Sequence, residues 1–300
     1  MNTQELKDDL LELYNHRSSF FVRDKTSVTT DVAKWKLGPI FTERETWGYD
    51  DIDPDVFITE AAGACVVTQI DGPNPGMQGI AKIRIQIPNA PEDYPSTKPH
   101  RCSARSGFEY VNLRELTEHG CTCSPRLLDF QLFYQTSRKH PVPGGFWVFI
   151  VMERLPGRNL VNFADLPMSE RDQVRLAFAK SIREFYSMRF RHDDPDRRNL
   201  VWDRENKKCY IIDLEDARQL DSDIEPRKFI PEIDFREWGI AGPEINTSRY
   251  GLDPMVPHDR KYIENPDDET LEKMAAEAAG KELLFLRFDD RAGGWVEQKR

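Results

Sequence analysis

The chain has 300 residues, 39% hydrophobic and 31% charged, with a net charge of -10 at pH 7, a composition that suits one large domain or two lobes sharing a cleft. No apolar run approaches the roughly 18 residues of a membrane span, and an acidic surface repels a phosphate backbone, so neither membrane nor nucleic acid is an expected partner. The opening MNTQELKDDLLELY has no basic stretch leading into an apolar one, and the five cysteines are then expected to stay reduced in a cytoplasmic protein.

Taken in chain order, TQELKDDLLELYN (3–15) sets Leu6, Leu10, Leu11 and Leu13 among charges, which predicts a short amphipathic helix. Residues 16–50 show no clear period, and 1–50 read as an N-terminal extension packed on the domain that follows. From 56 the pattern turns β. VFITE and CVVTQI are β-branched runs flanking the small stretch AAGA, IDGPNPGMQG is a loop, and GIAKIRIQIP alternates strictly. In that last run Ile83, Ile85 and Ile87 share one face, and Lys82, Arg84 and Gln86 the other. SGFEYVNLRELTEHG reads as a helix ending at Gly120, and LLDFQLFYQ and FWVFIVME as two more strands joined by a loop carrying HPVPGG. Residues 51–152 thus form a first domain, ordered strand, strand, strand, helix, strand, strand.

Residues 153–300 change character. MERLPGRNL is a turn. The helix that follows carries Val174, Phe178, Ile182 and Phe185 on one face, with Ser169 and Asp172 as its capping box. Next comes RHDDPDRRNLVWDRENKKCYIIDLEDA (191–217), in which LVW and YIID form a hairpin around DRENKKC. Beyond Ala217 the signals thin, apart from a helix over DDETLEKMAAEAAG. His100, Cys102, His119, Cys121 and Cys123 are metal-ligand types. A helix of about 13 residues, spanning roughly 20 Å, separates the two groups, so one zinc ion does not easily join them.

Phosphoryl transfer from ATP needs a carboxylate at the acceptor hydroxyl, oxygen ligands for magnesium, a lysine on the phosphates and a glutamate to hold that lysine. His192, Asp194 and Asn199 form H-x-D-x-x-x-x-N, and Asp213 follows the hairpin in IIDLE. In order and spacing, residues 56–217 resemble the protein-kinase-like fold. The resemblance implies an α+β, bilobal architecture: a first lobe of antiparallel sheet with one helix, and a mainly helical second lobe. It also implies roles. Asp194 is the catalytic base and His192 props its loop. Asn199 and Asp213 bind magnesium. Lys82 holds the α- and β-phosphates. Glu109 holds Lys82, because it shares a helical face with Leu113 and Leu116, whereas Glu115 points to the far side. Met152 stands beside adenine, the backbone of Glu153 and Leu155 bonds the base edge, and Gly63 in TEAAGAC stands where a glycine loop would cover the phosphates.

Departures from protein kinases choose the branch. Asp196 stands where they carry a lysine, Leu214-Glu215 follow the metal aspartate in place of Phe-Gly, and no A-P-E follows. The chain is more similar to the aminoglycoside phosphotransferase and choline kinase families, and to fungal kinase-like proteins. That branch implies ATP- and magnesium-dependent transfer to a hydroxyl of a small molecule, with Glu215 assisting the metal. Asp193, Asp196 and Asp216 favour a cationic acceptor. Residues 218–300 would supply its pocket, with Trp238 and Tyr250 lining it or serving as core. Two other readings stand beside this one: a kinase-like binding scaffold without activity, and an atypical protein kinase.

Overall fold

A computed structural model describes residues 27–50, 52–89, 97–138, 140–243, 285–289 and 294–298. They fall into two compact units, within Met1–Thr117 with Arg126–Arg154, and within Glu118–Pro125 with Leu155–Arg300. The class is α+β. The helices expected over 3–15 and 267–280, and Tyr250, lie outside the described residues. No helix among the described residues is long and apolar enough to cross a membrane.

The first unit contains β1 (Ser27–Thr29), β2 (Lys34–Tyr49), β3 (Phe57–Asp71), β4 (Gln78–Gln86), helix α1 (Ala104–Glu118), β5 (Leu127–Tyr134) and β6 (Phe146–Glu153). The sheet order is β1-β2-β3-β4-β6-β5, and every neighbouring pair is antiparallel. Two features differ from the sequence reading. VFITE and CVVTQI are one continuous strand, β3, because the small residues between them are held by ladder pairs on both sides: Gly63 pairs with Glu43 of β2 and Ile83 of β4. The two remaining strands, β1 and β2, come from the stretch read as an extension. β2 shows no alternation because its middle, Phe41–Glu45, is exposed on both faces, and register shifts near Ile40 break the period.

Strand β4 organises the unit. Its Ile83 joins Trp35, Cys65, Val67, Ala81, Phe149 and Val151 in an apolar core. Lys82, Arg84 and Gln86 point the other way, as a period of two requires, but that face is not solvated. Arg84 is 2% exposed and Gln86 1%. Helix α1 supplies the cover, burying Ser106, Glu109, Asn112, Leu113 and Leu116. It is pinned further by a stack of Tyr110 on Phe130, with centroids 3.8 Å apart, and by the N–H of Leu127 donating to Thr117 Oγ1 at 2.8 Å.

Among the described residues of the second unit, α2 (Met168–Ser187) and α3 (Pro231–Glu237) are accompanied by seven short strands: β7 (Arg158–Asn159), β8 (Phe190–His192), β9 (Leu200–Asp203), β10 (Lys208–Ile211), β11 (Ala217–Gln219), β12 (Phe285–Asp289) and β13 (Gly294–Gln298). Val174, Phe178, Ile182 and Phe185 of α2 are fully buried. The expected capping box is absent. The cap lies two residues earlier, at Pro167, which has no side-chain acceptor to cap with, and the carboxylate of Asp172 pairs with Arg175 at 2.9 Å instead. Trp238 is core, 1% exposed against Phe178.

The turn leaving β6 depends on Gly157. Its φ is +99°, and a Cβ there would lie 2.2 Å from the carbonyl oxygen of Trp202. Gly157→Ala combines a disfavoured backbone with a clash and is expected to cost at least about 1–3 kcal/mol, measurable as a fall in the urea midpoint.

Candidate functional site

Each unit carries part of the expected constellation. In the second unit, β8 pairs with β11 so that His192 lies opposite Ala217, and the N–H of Asp193 donates to the carbonyl of Asp216 at 2.8 Å. This anchors both ends of the acidic loop. His192 is 5% exposed. Its Nε2 lies 3.2 Å from the carbonyl of Ile212 and 3.1 Å from that of Asp213, and its Nδ1 faces the N–H of Asp194 at 3.2 Å. A proton on Nε2 satisfies all three contacts. The edge-on ring of Trp238, centroid at 5.2 Å, closes the far side. The imidazole thus ties the Asp194 loop to the segment that carries Asp213.

Asp213 is in the left-handed region, φ 63° and ψ 57°. Such a conformation in a residue with a Cβ costs free energy and is held by its surroundings. Here those are His192 on the carbonyls of Ile212 and Asp213, and the N–H of Ile212 on the carbonyl of Asn199 at 2.9 Å. Asn199 is 3% exposed. Its Nδ2 donates to the carbonyl of Asp194 at 2.9 Å and lies 3.5 Å from that residue's Oδ2. With the amide nitrogen engaged, Oδ1 is the acceptor end. An amide oxygen and the Asp213 carboxylate are hard ligands of the kind magnesium takes.

Arg198 was not singled out from sequence, although its i,i+4 offset from Asp194 was the available signal. Its Nη2 lies 3.0 and 3.3 Å from the two oxygens of Asp194, and the bond to that carboxylate raises the guanidinium pKa. Both side chains are about half exposed, so the pair is weak and exchangeable.

Other acids of the loop are already engaged. Asp196 caps the turn Arg197–Asn199, accepting from the N–H of Arg198 at 2.8 Å. Asp193 pairs with Arg191 and Arg218 at 3.1 and 3.0 Å. Both acids thus have partners within the chain, although the Asp193 pairs are exposed and exchangeable. Asp203 accepts from the backbone of Glu205 and Asn206 and from Asn206 Nδ2 at 2.6 Å. The Asn206 side-chain bond leads the causes that hold its pKa down, and it shapes the β9–β10 hairpin. Glu215 is buried, 3% exposed.

In the first unit, Lys82 Nζ pairs with Glu109 Oε1. The glutamate is 1% exposed while the lysine side chain retains 21%, so the ammonium is held at the edge of the buried face. Oε2 of Glu109 has no hydrogen-bond partner among the described residues. Glu115 instead pairs with its neighbour Arg114 at 2.8 Å. Beside Lys82–Glu109 lies a second charged pair, Arg84 with Glu60, whose other oxygen accepts from Ser103 Oγ at 2.6 Å. Met152 is buried, opposite Ile80 of β4 and Leu127 of β5. The N–H of Glu153 is taken by the carbonyl of Arg126 at 2.8 Å, so any base contact by Glu153 falls to its carbonyl. Leu155 is half-buried and begins the second unit's long segment.

Gly63 corrects the sequence reading. It lies mid-strand in β3, not in a loop. The segment joining the two longest strands, 50–56, contains no glycine and carries Asp50, Asp51, Asp53 and Asp55. Asp50 accepts from the N–H groups of Ile52 and Asp53, both at 3.0 Å, and faces His100 Nδ1 at 2.6 Å. His100 is thus committed to Asp50.

No protein-family profile matches the chain, and no curated protein is significantly similar to it. Among solved structures, it is similar to the kinase PK-1 of Cydia pomonella granulovirus at 12% identity and a TM-score of 0.35. The match covers 53% of this chain and 48% of that one, so the chain spans about half the length of that kinase.

Proposed function

We propose that the chain is a phosphotransferase with the protein-kinase-like fold, transferring phosphate from ATP with magnesium to a hydroxyl of a small molecule, as in the aminoglycoside phosphotransferase and choline kinase branch. The observation that carries the reading is the clamp by which His192 and Asn199 bind Asp194 to the strained Asp213 segment. A solvated acidic loop has no need of it. In this reading Asp194 accepts the proton of the attacking hydroxyl. Asn199 Oδ1 and the Asp213 carboxylate would hold magnesium, which would neutralise charge on the phosphates. Lys82, kept extended by Glu109, holds the α- and β-phosphates. Arg198 shields Asp194 until the acceptor arrives, then turns to the transferred phosphoryl group.

The first test is thermal denaturation with and without millimolar Mg-ATP, followed by a screen of hydroxyl metabolites for ADP release. A stabilising shift is expected, and Lys82→Met should weaken Mg-ATP binding about 10–100-fold, the worth of one charge-assisted hydrogen bond. No shift at any nucleotide concentration would overturn the enzymatic reading.

A second reading, a kinase-like scaffold without catalysis, is favoured by one observation. The 50–56 segment offers aspartates where a phosphate-covering loop would offer glycine N–H groups. A Mg-ATP shift without ADP release from any acceptor would favour it.

A further inference from the structure

A second cluster of the second unit lies outside the residues of the clamp. Cys121 and Cys123, from the short segment after α1, have sulfurs 3.3 Å apart. Ser124 Oγ donates to Cys121 Sγ, also at 3.3 Å. Glu184 of α2 closes the segment from outside: its two oxygens accept from the N–H and hydroxyl of Thr122 at 2.5 and 2.8 Å. Cys121 is 5% exposed and Cys123 fully buried. The pair is therefore asymmetric: Cys121 is buried but keeps a small exposed fraction and accepts from Ser124, whereas Cys123 is fully buried.

We propose that Cys121 and Cys123 are a redox-active dithiol, closed to a disulfide by hydrogen peroxide, with Cys121 the attacking sulfur and Cys123 the resolving one. The proposal is independent of phosphoryl transfer. The Cys121 sulfur attacks a peroxide oxygen, the O–O bond breaks, and hydroxide leaves and takes a proton to become water. Cys121 is now a sulfenic acid. The Cys123 sulfur then attacks Cys121, the S–O bond breaks, and the Cys123 proton leaves with the hydroxide as a second water. In sum, two thiols lose two electrons and two protons, and one peroxide becomes two waters.

The surroundings assign the roles. The Cys123 and Ser124 donors bring the Cys121 thiol down to about 7 against the opposing effect of burial, near the optimum for an attacking thiol at neutral pH. Cys123 is pushed well up, first by its bond to Cys121 and then by burial. The chain holds its own controls. Burial pushes Cys65 up to about 11 and Cys209 higher still, as expected of inert core thiols.

A zinc site fits less well. Two thiolates on one tetrahedral zinc stand about 3.8 Å apart, and both oxygens of Glu184 are already engaged. The disulfide has a place to be felt. The carbonyl of Cys123 accepts from the N–H of Ile211 at 2.8 Å, two residues before Asp213.

The experiment treats the reduced 300-residue chain with one to two equivalents of hydrogen peroxide, then counts alkylatable thiols and maps peptides. From five free thiols the count should fall by two, and the peptide carrying Cys121 and Cys123 should lose the mass of two hydrogens and refuse alkylation. Reductant should restore it. Cys123→Ser should leave a sulfenic acid at Cys121 that dimedone traps, and Cys121→Ser should leave Cys123 unmodified. Amide exchange at Ile211 should quicken on oxidation. Alkylation of both cysteines in the treated wild-type chain would overturn the proposal without need of any variant. So would stoichiometric zinc in the purified protein that is lost in Cys121→Ser.

Discussion

Asp194→Asn is expected to lower ADP release with the accepted hydroxyl substrate by about 10²–10⁴-fold, the usual worth of a positioned general base, and to leave the Mg-ATP thermal shift near its wild-type value. The asparagine keeps the shape of the loop. The N–H of residue 194 still meets His192 Nδ1, and its carbonyl still accepts from Asn199 Nδ2. The lost group is the carboxylate, which also frees Arg198. The two readouts separate the roles, because a structural Asp194 would alter binding and turnover together, whereas a base alters turnover alone. Undiminished turnover would remove Asp194 from the chemistry and, with it, the functional meaning of the clamp.

Arg84→Met is expected to destabilise the first unit by about 3–5 kcal/mol. Glu60 is 0% exposed and Arg84 2%, so the variant leaves a carboxylate in the interior with, among the described residues, the Ser103 hydroxyl as its remaining partner. That is a large fraction of the total stability of a domain. Adding Glu60→Gln should recover more than half of the loss, because a neutral amide can still accept from Ser103 and costs far less to bury than a charge. Urea titration of both variants checks this. A single variant within about 1 kcal/mol of wild type, or a double variant no better than the single, would show that the pair is not acting as a buried ion pair. The neighbouring Lys82–Glu109 pair lies on the same covered face of β4. Nucleotide binding should therefore also weaken in Arg84→Met, and recover with stability in the double variant.

Much of the local structure was legible in the residues. The alternation from Ile83 to Ile87 located β4, and the spacing of Glu109, Leu113 and Leu116 located the buried face of α1. Together the two periods bring Lys82 to Glu109 and leave Glu115 outside. The order His192, Asp194, Asn199, hairpin, Asp213 was readable because each step spans a few residues and depends on turn chemistry. β2 was not legible. Its exposed middle and shifted register carry no alternation, and it is a strand because β3 offers it a ladder along its length. Gly63 was misplaced for the same reason. A run of small residues resembles a loop until strands on both sides bond to it.

By itself, then, the sequence determined the short-range features: periods of two and 3.6, hairpin positions, and the residue types and spacing of the acidic loop. Only the tertiary structure decided which groups became partners over long separations. Glu60 with Arg84, Arg198 over Asp194, His192 against the left-handed Asp213, and Thr122 on Glu184 are outcomes of strand pairing, helix docking and backbone direction. Composition and spacing do not encode these contacts locally. A side chain's partner follows from which segment is packed beside it, and that choice minimises the free energy of the whole fold rather than of its own neighbourhood.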